Sequence, residues 1–344
     1  MNQLRFGVAG AGSLGFHHTR IARDLPEVAF AGFFDPDPAR ATEVAEELGV
    51  KGVSQLDDLL DQVDALIIAS PTTTHRDVSV AALRRGIHVF IEKPIASTLE
   101  EADEILEAAE KGGALIQVGH VERFNSAIVG AEPWLEDPLF IESHRLSPFA
   151  ARGIDVAVVL DLMIHDVDLV QSLVGAPVTE IRATGVPVLT PSVDIASARL
   201  AFEGGAVANL TASRVSMERL RKLRIFQPSG YLSLNLATGT GEFLRLKKDL
   251  PALSEIGQRP GGAPGGMEEA LKGLVAGGLE QIVERIPLAA DDAEPLRREQ
   301  EAFRDAVLGR RPPVVPGREG RNALDVALSI ESRILRHVAD SRSK

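Results

Sequence analysis

The chain has 344 residues, of which 44% are hydrophobic and 25% are charged, as in a folded protein long enough for two domains. Its 49 acidic and 37 basic residues give a net charge of −12, which argues against a nucleic-acid partner held by bulk charge. There is no cysteine, so disulfides, thiolate metal ligands and a cysteine nucleophile are excluded. No apolar run is long enough to cross a membrane and the N-terminus lacks a signal-peptide pattern, so we expect a cytoplasmic protein without a membrane partner.

The most specific local pattern lies at residues 4–15, LRFGVAGAGSLG, where an apolar strand leads into a GxGxxG turn that opens a helix. Gly10 permits the tight turn, Gly12 lets a pyrophosphate approach the backbone, and the third glycine lets helix and strand pack closely. Ser13 and Leu14 begin the helix, whose free N–H groups and positive dipole end favour phosphate. The turn therefore predicts a bound dinucleotide.

An acidic residue closes the next apolar strand, VAFAGFFD, twenty residues beyond the turn. This residue, Asp35, is placed to accept hydrogen bonds from an adenosine ribose. A 2′-phosphate at the same place would meet a carboxylate, so the sequence favours NAD over NADP. Arg40, one helical turn further on, could weaken that preference.

Apolar strands alternate with helical segments to about residue 118, which predicts a doubly wound parallel sheet (a Rossmann-type α/β domain) at residues 1–122. In such sheets, ligands bind at the carboxyl ends of the strands. The polar residues that follow two of the strands are therefore candidate cofactor contacts: Ser70, Pro71, Thr72, His75, Glu92 and Lys93.

Lys93 follows an apolar strand, stands beside Glu92 and precedes a proline. Its ammonium group could act at a substrate hydroxyl, either electrostatically or as a proton donor or acceptor. The alternative is a surface lysine that pairs with Glu92, and the local pattern does not decide between the two.

Helical spacing of apolar residues at 155–174 predicts a helix that carries Asp161 and His165 on one side, four residues apart. A carboxylate one turn from an imidazole can orient the ring and raise its basicity, as a general base requires. The alternative is a surface Asp–His pair that contributes little to the stability of the protein. Two ligands without further His or acidic partners do not predict a metal site.

From residue 178 to about 248 the chain reads as long strands joined by glycine turns, which predicts an open-faced antiparallel sheet in an α+β domain at residues 123–317. Such sheets often pair with a second copy, so we expect a homodimer or homotetramer. Composition predicts a loop at 251–266, and amphipathic spacing predicts a C-terminal helix within 318–344 that packs back on the first domain.

Basic residues crowd the segment 214–224 of this acidic chain. They could meet a phosphate-bearing substrate, a role that arginine suits, or they could form a solvated strand face or a subunit contact. The residues are Arg214, Arg219, Arg221, Lys222 and Arg224.

Several motifs, in their order and spacing, resemble the Gfo/Idh/MocA oxidoreductases: AGAGSLGFHH, FDPDPAR, SPTTTH, EKP, VGHVERFN and DLMIHD. The resemblance covers nearly the whole chain, and EKP is its most specific element. It implies a Rossmann domain, an open-faced sheet domain, bound NAD(H) or NADP(H), and a dimer or tetramer. It places the catalytic lysine of the family at Lys93 and its Asp-x-x-x-His pair at Asp161 and His165. One departure is the apolar run at 158–160, where the family often has glycines.

Two further stretches, SPFAARGIDVAVVLDLMIHDVDLV and SRVSMERLRKLRIFQ, resemble the branch of this family that oxidises UDP-N-acetylglucosamine at the sugar 3-position, towards a 3-amino sugar of lipid A. The resemblance implies a sugar or sugar-nucleotide substrate. Dehydrogenation of another sugar or polyol, such as an inositol, and a non-catalytic NAD-bound sensor are the alternatives. The residues expected to contact the substrate are Lys93, Arg123, Asn125, Arg152, Asp161, His165 and Arg214.

Overall fold

The computed structural model describes residues 3–149, 157–247, 282–288 and 293–342, which form two sheets with helices around them. The predicted loop at 251–266 lies outside these residues, as does the start of the helix predicted at 155–174. Within the described part of the chain, no helix is both long and apolar enough to cross a membrane.

The first sheet is parallel throughout, with the strand order β3-β2-β1-β4-β5-β6, so the predicted doubly wound sheet is confirmed. An apolar core lies on each face, which is why the strands are apolar along their whole length. The strands are β1 (Leu4–Ala9), β2 (Val28–Phe34), β3 (Gly52–Val53), β4 (Ala65–Ile68), β5 (His88–Glu92) and β6 (Ile116–Gly119). The helices between them are α1 (Ser13–Arg23), α2 (Pro38–Leu48), α3 (Leu56–Leu60), α4 (His75–Leu83) and α5 (Leu99–Gly112).

The second sheet has eight strands in the order β14-β13-β12-β11-β7-β10-β9-β8. Helices α6 (Ser126–Ala131) and α7 (Ile164–Val174) contribute to the apolar core on one of its faces. The strands are β7 (Phe140–Leu146), β8 (Val178–Val186), β9 (Ile195–Phe202), β10 (Val207–Ser213), β11 (Leu220–Gln227), β12 (Gly230–Asn235), β13 (Thr240–Leu246) and β14 (Val283–Pro287).

The second sheet differs from the expected antiparallel sheet in one pairing, because β7 and β10 run parallel. The chain leaves β7 through α7, enters the sheet again at its far edge as β8, and returns by two antiparallel steps to β10. That crossover brings β10 beside β7 in the same direction. Strand β14 was also not predicted, and it extends the sheet beyond β13.

The segment 295–316 packs on the first sheet, so the second domain does not continue to residue 317 as the sequence suggested. Helix α8 (Pro295–Val307) places the ring of Phe303 5.5 Å from that of Phe6 and 5.9 Å from that of Phe90. The chain after α8 then bonds to β6, where the N–H of Val118 donates to the Val315 carbonyl at 2.9 Å.

The last helix, α9 (Gly317–Arg342), lies against both sheets. It contacts α5 and β6 of the first domain, and β8 and α7 of the second. The sequence predicted that this helix packs on the first domain, and its contacts with the second domain were not predicted. The apolar stripe of α9 is wide enough to serve both cores, since Leu324 joins one and Ala327 and Ile330 join the other.

Candidate active site

The glycine turn after β1 has the geometry that a pyrophosphate needs. Gly10 adopts φ +93°, and a Cβ atom there would come within 2.6 Å of the Ser70 nitrogen, so only glycine fits. A Cβ at Gly12 would meet nothing within 4 Å, which leaves open space against the backbone. The helix that starts at Ser13 offers first-turn N–H groups that have no partner within the helix.

Asp35 lies beside this turn at the end of β2. Its Oδ2 accepts from the Ala11 N–H at 2.7 Å and its Oδ1 accepts from the Asp37 N–H at 2.9 Å. Arg40 donates from Nε to the Ala11 carbonyl at 2.7 Å and pairs with Glu43 at 2.7 Å. Glu43 thus neutralises a nearby cation that could otherwise pair with a 2′-phosphate, in agreement with an NAD site.

The loop after β4 is held by its own hydrogen bonds. Ser70 Oγ lies 2.7 Å from Thr74 Oγ1, and Pro71 and Thr72 belong to the short 3₁₀ turn that leads into α4. His75 is buried, and its ring nitrogens lie 3.0 Å from the carbonyl oxygens of Ser70 and Pro94. Burial lowers the pKa of His75 despite these contacts. The ring therefore braces one loop against the other, and its contact with the cofactor remains a prediction.

Lys93 is largely buried, and its Nζ donates to the main-chain oxygen of Asp161 at 2.7 Å. Glu92 is engaged elsewhere, because its Oε1 lies 2.7 Å from Nε2 of the buried His18. The ammonium group of Lys93 therefore does not form the surface ion pair with Glu92 that the sequence offered as an alternative. Burial lowers the pKa of Lys93, although the carboxylates of Asp161 and Glu92 oppose the shift.

The helix that carries Asp161 and His165 begins with a π-helical turn, Val159–Met163, at the apolar run where the family often has glycines. A π turn closes its hydrogen bonds five residues apart, so side chains spaced by four no longer stack as they do on an α-helix. Consistent with this, Nδ1 of His165 is buried without a hydrogen-bond partner among the described residues. The orientation of His165 by the Asp161 carboxylate thus remains a prediction.

The His165 imidazole lies in a positively charged, desolvated place. Burial lowers its pKa well below the usual value, and the charges of Lys93, Arg145 and Arg221 lower it further. The ring is consequently neutral at physiological pH, the form in which it can accept a proton.

A second histidine, His120, stands next to this base and was not singled out from the sequence. It follows β6, and its ring lies edge-on to His165 with centroids 6.4 Å apart. Both of its ring nitrogens are buried without a hydrogen bond to any residue that the structure describes, and Nδ1 lies 4.0 Å from Asp168 Oδ2. Burial lowers its pKa. Its position at a strand end of the first sheet was the signal that could have found it.

Two predicted substrate residues have structural partners instead. Arg123 donates to both oxygens of Asp168, at 2.7 and 2.6 Å, and pairs with Glu319 of α9 at 2.7 Å. Asn125 caps α6 by accepting from the Ala127 N–H at 3.1 Å. These contacts tie the helices together, and a contact of either side chain with the substrate remains a prediction.

The remaining two substrate predictions have different outcomes. Arg214 follows β10 and is buried, and its Nε lies 3.8 Å from Asp194 Oδ1. It therefore lies against Asp194. Arg152 lies outside the described residues.

Next to His165 lies a buried ion-pair network that was not predicted from the sequence. Arg145 of β7 donates to both oxygens of Asp166, at 2.7 and 3.1 Å, and to Glu122 at 2.7 Å. Burial opposes the charge of Arg145, but the two carboxylates outweigh it and raise its pKa. The network joins β7 to α7 and to the turn after β6, and so fixes His165, the neighbour of Asp166.

The site can therefore bind a dinucleotide at one edge of the first sheet, with a buried ammonium group and a neutral imidazole beside it. Those groups suit transfer of a proton from an alcohol whose carbon loses a hydride. Within the described ranges, no cluster of three or more His, Asp or Glu side chains could hold a metal ion.

Comparison with known families and proteins agrees with this geometry. Residues 4–120 match the model of the oxidoreductase family with an NAD-binding Rossmann fold, and residues 127–233 match the GFO/IDH/MocA C-terminal domain. The chain is 36% identical over 331 residues to UDP-N-acetylglucosamine 3-dehydrogenase of Acidithiobacillus ferrooxidans, covering 96% of this chain and 97% of the relative.

Structural similarity extends over the same length. A solved structure of the Acidithiobacillus ferrooxidans enzyme superposes with a TM-score of 0.84 at 33% identity, covering 97% of this chain and 98% of that one. The NAD(+) scyllo-inositol 2-dehydrogenase of Bacillus subtilis is 30% identical over 62% of this chain and 68% of its own. This chain belongs to the Gfo/Idh/MocA family, and it is an NAD-binding oxidoreductase.

Proposed function

We propose that this enzyme oxidises the 3-hydroxyl of UDP-N-acetylglucosamine to a ketone with NAD. The observation that carries the proposal is the contact of Lys93 Nζ with the Asp161 main chain, because it joins the lysine of EKP to the helix of His165. Similarity over 96% of the chain to a relative with that activity supports the choice of substrate.

The residues divide the task as follows. Gly10, Gly12, Ser13 and Leu14 would hold the pyrophosphate of the cofactor, and Asp35 would accept from a ribose hydroxyl. When bound, the nicotinamide ring accepts the hydride from the alcohol carbon. The open space at Gly12 fits such a group.

The proton of the alcohol needs a base and the developing oxyanion needs a positive charge. His165 takes the proton from the hydroxyl, which its lowered pKa permits because the ring is neutral. Lys93 stabilises the oxyanion from the opposite domain in a site that excludes water. Asp161, in contact with Lys93 through its main chain, offsets the positive charges around the base.

The test is to incubate the purified protein with NAD and one candidate substrate at a time, and to follow NADH absorbance. We expect turnover with UDP-N-acetylglucosamine and a product two hydrogens lighter by mass spectrometry. Turnover with scyllo-inositol and none with any UDP-sugar would instead select the inositol activity, which the Bacillus subtilis relative favours.

We also propose that the enzyme is a homodimer or homotetramer assembled through the open face of the second sheet. The rings of Phe140, Phe226 and Tyr231 stack there with centroids 5.7 and 5.1 Å apart, next to a surface cavity of about 520 Å³. Light scattering of the purified protein tests this, and a monomer would contradict it. We further propose that the 3-keto product is later aminated to a 3-amino sugar of the lipid A type, and that the enzyme acts in the cytoplasm.

A further inference from the structure

The basic segment 214–224 does not form one patch, because strand alternation divides it between two faces. In β11 the fully buried Leu223 and Ile225 point to the helical layer, and Arg221 lies on the same face by its spacing of two. Lys222 and Arg224 lie on the opposite face, where Arg224 pairs with Glu142 at 2.7 Å. One arginine of this strand therefore points towards the side of the sheet that carries His165.

Arg221 stands directly opposite Arg145 in the pairing of β11 with β7. Arg145 is fully engaged by Asp166 and Glu122. Arg221 Nη1 reaches the same Glu122 oxygen only at 3.4 Å, although Arg145 already holds that oxygen at 2.7 Å. The Arg221 guanidinium makes this single long contact within the described part of the chain, and its side chain is 41% exposed.

A short series of neighbouring residues connects Arg221 to the catalytic base. Arg221 lies beside Arg145, which binds Asp166, and Asp166 adjoins His165 on α7. The positive charge of Arg221 acts on the His165 ring, as its contribution to the lowered pKa of His165 shows. A half-exposed guanidinium whose contact with Glu122 is long therefore lies at the margin of the site.

We propose that Arg221 is the phosphate-binding residue of the substrate site, available to a phosphate because Arg145 already holds the Glu122 oxygen that Arg221 approaches. The inference rests on the proposed function and names the part of a nucleoside-diphosphate sugar that is recognised. Guanidinium groups bind phosphate through charge-assisted, often paired hydrogen bonds. The diphosphate is attached at the anomeric carbon, two ring positions from the carbon whose hydroxyl would meet His165. A neutral polyol gains nothing from this residue.

The first experiment compares Arg221→Gln and Arg221→Lys with the unchanged enzyme in UDP-N-acetylglucosamine turnover. Loss of a charge-assisted hydrogen bond should raise KM for UDP-N-acetylglucosamine by about 10- to 100-fold in Arg221→Gln and leave kcat nearly unchanged. Arg221→Lys keeps the charge and should recover part of the loss. Thermal unfolding of each variant shows that it is folded.

The matched control is Arg85→Gln, which also removes one arginine charge. Arg85 lies between α4 and β5, at the edge of the first sheet opposite the site, and pairs with Asp61 on the surface at 2.9 Å. We expect its KM to equal that of the unchanged enzyme. An equal rise of KM in both variants would show a bulk charge effect and overturn the proposal.

The second experiment measures the binding of UDP to the NAD-loaded enzyme by calorimetry and needs no turnover. Weaker binding of UDP to Arg221→Gln, in a protein that oxidises no UDP-sugar, would support the phosphate subsite and refute the proposed function. Equal KM values for UDP-N-acetylglucosamine in both proteins would keep the function and overturn the subsite. Failure of the unchanged enzyme to bind UDP would overturn the subsite as well.

Discussion

The two sheets carry their polar chemistry in different places. In the first sheet, the functional side chains stand where parallel strands end, as Lys93 does after β5 and Asp35 after β2. In the second sheet, the charged residues lie on a face, and their partners come from segments distant in sequence, as Glu122 and Asp166 do for Arg145. Strand ends can be located from local sequence, whereas a shared face depends on register.

Replacement of Lys93 by Ala tests the role of the first sheet most directly, because the contact of Lys93 with Asp161 joins the two domains at the site. We expect kcat to fall by about 10³-fold, since both the oxyanion charge and a proton-relay group are lost. Binding of NAD, measured by calorimetry, should stay within about twofold, because the glycine turn is untouched.

The control for this variant is Lys111→Ala, an exposed lysine of α5 that pairs with Glu107 at 2.6 Å. Its kcat should match that of the unchanged enzyme. Normal turnover in Lys93→Ala would remove Lys93 from the reaction.

The face of the second sheet is tested by Arg145→Gln, which leaves Asp166 and Glu122 buried without their cation. We expect the free energy of unfolding in urea to fall by about 3–5 kcal/mol, because a buried carboxylate without a partner is costly. Arg224→Gln, on the outer face of β11, should change it by less than about 1 kcal/mol. Equal losses in the two variants would mean that the two faces do not differ.

The cofactor preference is tested by Asp35→Asn, which keeps an oxygen acceptor near Ala11 but removes the negative charge. The ratio of kcat/KM for NAD to that for NADP should fall by about 10-fold, because the repulsion of a 2′-phosphate is lost. The activity with NAD should change less than the activity with NADP. An unchanged ratio would show that Arg40 and Glu43 set the preference instead.

The smallest expected effect concerns Glu299 of α8, a fully buried carboxyl whose two oxygens have no hydrogen-bond partner among the described residues. Burial raises its pKa well above the usual value, and the charges of Glu92 and Asp168 raise it further. The folded protein therefore keeps this proton at a pH where the unfolded chain releases it, and stability falls as the pH rises above about 4.5.

Glu299→Gln has no proton to keep, so it should be more stable than the unchanged protein at pH 8 and equal to it near pH 4. We expect the gain at pH 8 to exceed the spread of about 0.5 kcal/mol that surface substitutions give. Glu301→Gln on the same helix is the control and should show no such dependence on pH. A gain that does not change with pH would mean that Glu299 titrates normally.

Prediction from sequence succeeded where the cause was local. The glycine turn, Asp35 and the strand ends follow from spacing within one strand–turn–helix unit. The arginine-rich segment could not be resolved, because the face of each arginine depends on how β11 pairs with β7. The parallel pairing of β7 with β10 depends likewise on a crossover through α7.

Other features could not be predicted from the sequence because they depend on tertiary packing. The π turn at Val159–Met163 replaces the α-helical spacing that the apolar pattern indicated. His120 was overlooked because one histidine after a strand is common, and only its approach to His165 makes it notable. Arg123 and Asn125 have the right residue types for substrate contacts, but Asp168 and a helix cap engage them.

The position of helix α9 affects how the protein unfolds. Its Leu324 belongs to one core and its Ile330 to the other, and its Arg321 binds Asp103 of α5 at 2.9 Å. Neither core can open without exposing one side of this helix, so the two domains should lose their structure in a single cooperative transition. Helix α9 then keeps the two domains in one arrangement, and the relative orientation of Lys93 and His165 is as stable as the whole fold.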